Sequence, residues 1–308
     1  MRAILLSLLI CLPLFADFNS TKKEIDDYLK IVTNGYYDTL NSVDCYLTDY
    51  NDTDRSNYKQ ISKNKLQVIL SVKDITKDSA DVTLRLRGKI VLPQLKDKME
   101  LAFSQKDDEQ IDNQSISSDY DDIVNDSKLH VGLKYYLYKE KKSKAYGKLS
   151  FKLSSPFGLY AKFGIDRGYL YKDFETIFNH GLYYYVNENK FAASSAVSFF
   201  KPITVDYWIG QQNKIYWESK DSIYLNHNIT LYQILGLNDR ILYRTSYTTS
   251  YDDVDQFEHD SFGCSVGYFH RFNKWFFIEI VPEFRKHRNN GYKAETLLTL
   301  NFGMLLGN

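Results

Sequence analysis

From about Leu66 to Leu306, apolar and polar side chains alternate with a period of two through most of this chain. The clearest run is Lys128 to Tyr138. Leu129, Val131, Leu133, Tyr135 and Leu137 fall on one side, and Lys128, His130, Gly132, Lys134, Tyr136 and Tyr138 on the other. A period of two is that of an extended strand, so each such segment is a ribbon with one greasy and one wet face. The greasy faces must be covered, either by a second layer, as in an aromatic-rich β-sandwich, or by lipid around a closed sheet.

The N-terminus favours the second solution. Met1-Arg2 gives a positive start, Ile4 to Leu14 an apolar stretch, and Leu14-Phe15-Ala16 ends on the small residue that a signal peptidase prefers. The chain is therefore expected to be exported, with residues 1–16 removed. Segments of about ten alternating residues behind an export signal are what a transmembrane barrel requires. A mean hydropathy of -0.42 fits a sandwich, and equally a barrel whose strands each turn half their side chains to a polar interior. The 26 Tyr residues suit the two interfacial belts of a membrane barrel, because the ring is apolar and its tip polar.

Composition removes several function classes. The 39 basic and 39 acidic residues balance, so nothing in the charge favours nucleic acid. After the signal only Cys45 and Cys264 remain, which rules out a disulfide framework. The topology expected below places the two cysteines at opposite ends, Cys264 near the outer rim. No cofactor is implied.

Residues 17–64 have a different period. Thr21-Lys22-Lys23-Glu24 reads as a capping box, followed by Ile25, Tyr28, Leu29 and Val32 at helical spacing; Asn34-Gly35 bends or stops that helix. Tyr36, Leu40, Val43 and Leu47 continue the apolar face, which is too short and too polar to span a bilayer. Residues 20–49 are thus a helical segment that docks on the barrel, plugs it, or meets a periplasmic partner.

Residues 65–308 yield about fourteen strand candidates, or twelve if the short early ones pair outside the membrane. The expectation is an all-β, antiparallel up-and-down transmembrane barrel with a short N-terminal helical segment. Short connections at Lys172-Asp173, Lys201-Pro202, Leu237-Asn238 and Asn273-Lys274 should lie on one side. The long segments 107–126 and 252–260 should lie on the other.

Laid out this way, residues 66–308 resemble a Gram-negative outer-membrane β-barrel. Ile90-Val91-Leu92-Pro93, Leu231-Tyr232-Gln233 and Trp275-Phe276-Phe277-Ile278-Glu279 are similar to stretches in functionally unassigned proteobacterial envelope proteins. The amphipathic last strand resembles the signal read by the barrel-assembly machinery. It departs from that pattern by ending Leu306-Gly307-Asn308 rather than on an aromatic residue. The resemblance implies outer-membrane lipid and lipopolysaccharide as surroundings, and the assembly machinery as a partner during biogenesis.

Three constellations bear on function. The expected inward rows carry Arg85, Arg87, Lys89, Lys128, Lys134, Lys148, Lys152 and Lys162 as a basic wall, and Asp206, Arg244, Glu279, Glu283 and Arg285 as a mixed one. In an open lumen a basic wall favours anions; the alternative is that these side chains cross-pair and fill the barrel. Second, His259 and Ser261, two apart on a strand, resemble the outer-membrane phospholipase A pattern. Asn273, the candidate third member, would lie about 45 Å away along an extended strand, which favours a His and a Ser at the mouth of an acidic loop instead. Third, residues 107–126 hold eight carboxylates and 252–260 five more, Asp252, Asp253 and Asp255 being close enough to share a cation. A solvated loop is the usual reading of such a run. The leading expectation is a monomeric barrel acting as a passive pore for small solutes, and not an enzyme. A non-conducting structural or assembly barrel is the second reading, and a lipid hydrolase using His259 and Ser261 the third.

Overall fold

The computed structural model describes residues 65–75, 81–92, 98–104, 130–153, 157–219, 223–252, 256–273, 276–288 and 291–306. The signal, the N-terminal helical segment, Cys45, Lys128 and the 107–126 loop lie outside these. Fourteen antiparallel strands follow one another: β1 (Lys65–Ile75), β2 (Asp81–Leu92), β3 (Met99–Ser104), β4 (His130–Lys139), β5 (Ser143–Lys152), β6 (Gly158–Tyr171), β7 (Phe174–Tyr185), β8 (Lys190–Pro202), β9 (Tyr207–Glu218), β10 (Ile223–Ile234), β11 (Asp239–Asp252), β12 (Gln256–Arg271), β13 (Phe276–His287) and β14 (Ala294–Leu306). Each pairs with its sequence neighbours, and β1 pairs with β14 from Leu66↔Leu306 to Ile75↔Leu297, closing the sheet. Closure leaves no edge strand, so the ladder's backbone groups are paired within the sheet, as an apolar solvent demands. The sandwich reading is thereby excluded.

The two-residue period sets the faces. On β1 and β2, Leu70, Val82 and Leu84 are exposed on the outer surface while Ile69, Ser71 and Arg85 are buried on the inner one. Outward aromatics gather toward both rims: Tyr138, Tyr171, Phe174 and Tyr207 where the short turns lie, and Phe157, Phe191 and Trp217 at the opposite rim. These are the two girdles of a membrane barrel. No helix among the described residues is long and apolar enough to cross a membrane.

The connections after β6, β8, β10 and β12 share one rim, as the pattern predicts, but several boundaries move. The connection expected at Lys201-Pro202 falls instead at 203–206, because β8 runs through Pro202 and β9 begins only at Tyr207. Thr204 Oγ1 accepts from the backbone N–H groups of Asp206 and Tyr207, at 3.3 and 3.2 Å, and so diverts 203–206 into a turn. Val205 is 89% exposed there, and Asp206 sits in the turn rather than on the inner wall. Strands β11 and β12 reach Asp252 and restart at Gln256, so the expected long connection over 252–260 shrinks to 253–255. Cys264 accordingly falls midway along β12 instead of near a rim. A bulge between Tyr136 and Tyr138 pairs Tyr138 with Ala145, turning Tyr138 outward although simple alternation placed it with Tyr136.

Glycine makes room for rings at three strand contacts. A Cβ on Gly88 would lie 2.0 Å from Phe103, on Gly164 2.2 Å from Tyr146, and on Gly303 1.8 Å from Phe277. Each aromatic ring thus occupies the place of a neighbouring side chain.

Candidate functional site

The inner wall divides into two electrostatic sectors. In the first, register brings three lysines level on adjacent strands: Lys134 pairs with Lys148, and Lys148 with Lys162. Like charges directly opposed are unfavourable by themselves, and tyrosine rings are interleaved among them. Lys134 Nζ lies 3.5 Å from the centroid of Tyr146, and Lys162 Nζ 4.5 Å from that of Tyr183. The negative ring faces attract the ammonium groups. Tyr136, Tyr146, Tyr160 and Tyr183 are all buried, at 2, 1, 3 and 7% exposure. Lys152 pairs with His130 on the same wall, while Arg85, Arg87 and Lys89 form the neighbouring inward row of β2. Among the described inward side chains from β2 to β6, the carboxylates are Glu100 and Asp166. Glu100 receives the Tyr136 hydroxyl at 2.8 Å and lies 3.4 Å from Lys89 Nζ. The sector is net positive.

The second sector carries both signs and is tied together by hydrogen bonds and an ion pair. Asn301 on β14 donates to Glu279 on β13 at 2.8 Å and accepts from Ser71 on β1 at 2.6 Å and from Arg85 on β2 at 3.0 Å. Arg85 also donates to Ser71. This chain crosses the β14–β1 seam, with Glu279 and Asn301 at 1 and 2% exposure. Arg285 donates to Glu295 at 2.9 Å, Arg244 to Thr230 at 3.5 Å, and Glu283 faces Ser265 in the inward register. Sequence reading named Arg85, Glu279, Arg244, Glu283 and Arg285, but missed Ser71, Asn301, Glu295 and Glu100. Glu100 was legible, since it is the polar residue in Met99-Glu100-Leu101; the seam partners were not, because β1 and β14 stand 230 positions apart at Ser71 and Asn301.

The inner wall is not polar throughout. Ile69, Phe269 and Phe277 cluster inside with Leu305 packed against them, and Arg240 lies 4.1 Å from the Phe269 ring. Burial here is complete for Ile69 and Phe277.

The structure separates the hydrolase candidates. Ser261 pairs with Thr248 and His287 in the inward register, and a bulge follows at Thr248/Thr249. His259, beyond that bulge, contacts the hydroxyl of the outward-facing Tyr247 through Nδ1. Asn273 is at the opposite rim, where its Oδ1 accepts from Phe276 N at 2.8 Å. The three do not meet. Asp253 and Asp255 lie outside the described residues, as does the side chain of Asp252. Among the described residues no group of His, Cys, Asp and Glu could hold a metal ion.

Fold, faces and girdles together define an outer-membrane-type β-barrel of fourteen strands. Solved structures agree on that class. The chain is similar to OprB of Pseudomonas putida, with a TM-score of 0.53 and 9% identity over 79% of this chain and 94% of that one. It is also similar to outer-membrane-expressed OmpT of Vibrio cholerae, with 0.51 and 10% over 79% and 97%. At this identity the likeness is one of fold. No protein-family model and no curated protein matches the sequence.

Proposed function

We propose that this protein resides in a Gram-negative outer membrane and serves as a channel whose lumen favours small anions. The observation that carries this reading is the level row Lys134–Lys148–Lys162 on the inner wall of a closed barrel, beside Arg87 and Lys89. A pore wall with a net positive sector raises the local concentration of counter-ions and biases permeation toward them. Fourteen strands put the barrel between small filled ones and wide porins. Lipid and lipopolysaccharide surround the belt, and the barrel-assembly machinery inserts it.

The test is single-channel recording in planar bilayers under a salt gradient. Discrete conductance with a reversal potential on the anion side is expected, and Lys148→Glu should move that potential toward the cation side. A folded barrel that carries no current would overturn the channel reading.

One observation favours a second reading, a barrel with a filled interior. Tyr146, Ser150, Phe277 and Ile69 all face inward and are at most 1% exposed. Silence in the bilayer would move the conclusion there, with residues 20–49 proposed as the contact for a periplasmic partner.

A further inference from the structure

The outer surface differs sharply around the circumference. At mid-height the outward residues of β13, β14 and β1–β6 are apolar or glycine, for example Ile280, Leu300, Leu70, Leu84, Leu133 and Phe163. Across β7–β11 the same height carries His180, Ser195, Gln211, Asn213, His227 and Thr245, one or two to a strand. The register makes them continuous: His180 pairs with Ser195, and Asn213 with His227, while Thr245 lies one pair along β11 from Tyr247, the partner of His227. Their hydrogen bonds are only partly used. His227 Nδ1 meets Asn213 Oδ1 at 2.8 Å, and Gln211 donates to the same oxygen at 3.4 Å. That leaves the Asn213 amide N–H groups and the second His227 ring nitrogen without a partner among the described residues. Lipid tails offer neither donors nor acceptors, so this row is ill suited to face them.

We propose that the β7–β11 face is the interface between copies of this chain, which assemble side by side in the membrane rather than as lone barrels. Two features favour a second copy over a foreign chain. The row is uncharged when His is neutral, and Asn, Gln, His, Ser and Thr each donate and accept, so the patch complements itself as symmetric contacts require. Five strands at about 4.8 Å spacing under an apolar band about 25 Å tall present roughly 600 Å² per copy, about 1,200 Å² over both, which reaches the lower end of specific interfaces. Ile215, Ile229 and Trp217, exposed around the row, supply the apolar part. The proposal depends on the barrel lying in a bilayer but not on its conducting, so a silent barrel leaves it intact.

The test is native mass spectrometry of the full chain extracted with its native lipid in copolymer nanodiscs. The expected mass is that of two or more chains. The double variant Asn213→Leu, His227→Leu should drop to one chain while still shifting on a gel when boiled, whereas Leu84→Ala on the opposite face should not change the assembly. If the double variant does not fold, Gln211→Leu with Thr245→Val is read instead. A native protein found as one chain, or as one chain with a different protein, overturns the proposal, and so does an assembly that survives these variants.

Discussion

Substituting Gly303 tests whether ring-over-glycine packing holds the barrel together. A Cβ at this position would sit 1.8, 2.2 and 2.5 Å from Cζ, Cε1 and Cε2 of Phe277, where carbon contacts normally need about 3.5 Å or more. The ring has to retreat by well over an ångström. It has no free direction, because Phe277 is fully buried against Ile69 and Phe269, the two ring centroids being 5.1 Å apart. Forcing the ring away from a favoured rotamer costs about 0.5–1.5 kcal/mol. Weakening the aromatic pair costs about 0.5–1.5 kcal/mol more. Against this, alanine lowers the entropy of the unfolded chain by about 0.4–1 kcal/mol. The net expectation is a loss of about 0.5–2 kcal/mol for Gly303→Ala, or about 1–3 kcal/mol relative to a glycine whose added Cβ meets no clash. The reference is Gly147→Ala, where an added Cβ meets nothing within 4 Å; that variant should be neutral or slightly stabilising. Urea unfolding of the barrel in lipid vesicles, followed by tryptophan fluorescence, measures both. Adding Phe277→Leu to Gly303→Ala should cost less than the sum of the two single changes. Equal stability of the Gly303→Ala and Gly147→Ala proteins would refute the reasoning.

Three further outcomes follow from contacts elsewhere in the wall. Glu279→Ala strips Asn301 of its acceptor at the seam and leaves buried polar groups unmatched, which should cost about 2–4 kcal/mol in the same assay and lower the temperature at which the folded gel band is lost. Tyr136→Phe removes the hydroxyl donated to buried Glu100 and should cost about 1–2 kcal/mol, with Lys89 still within reach of the carboxylate. Thr204→Ala removes the acceptor that shapes the 203–206 turn and should cost about 0.5–1.5 kcal/mol, visible as faster amide exchange at Asp206 and Tyr207.

The alternation of side chains by itself located most of the strands and decided which face of each was greasy, because a period of two leaves a sheet no other way to sort its residues; it left fourteen or twelve strands open, and closure of the sheet decides for fourteen. It also placed Arg85, Lys134, Lys148, Lys162 and Glu279 on the inside, since each is the polar member of an alternating run. Where the pattern failed, a local event had changed the phase. The bulge at Leu137 turned Tyr138 outward, and the Thr204 hydroxyl took 203–206 out of the ladder. Register was beyond reach of the pattern, because sliding two strands by an even number of residues keeps every face correct. Only the tertiary structure levels Lys134 with Lys148 and Lys162, joins Ser71 to Asn301 across the seam, and sets Phe277 on Gly303. Those partners come from strands whose separation in the chain carries no local trace. Closure of the sheet, which brings β14 back to β1, is what decides them.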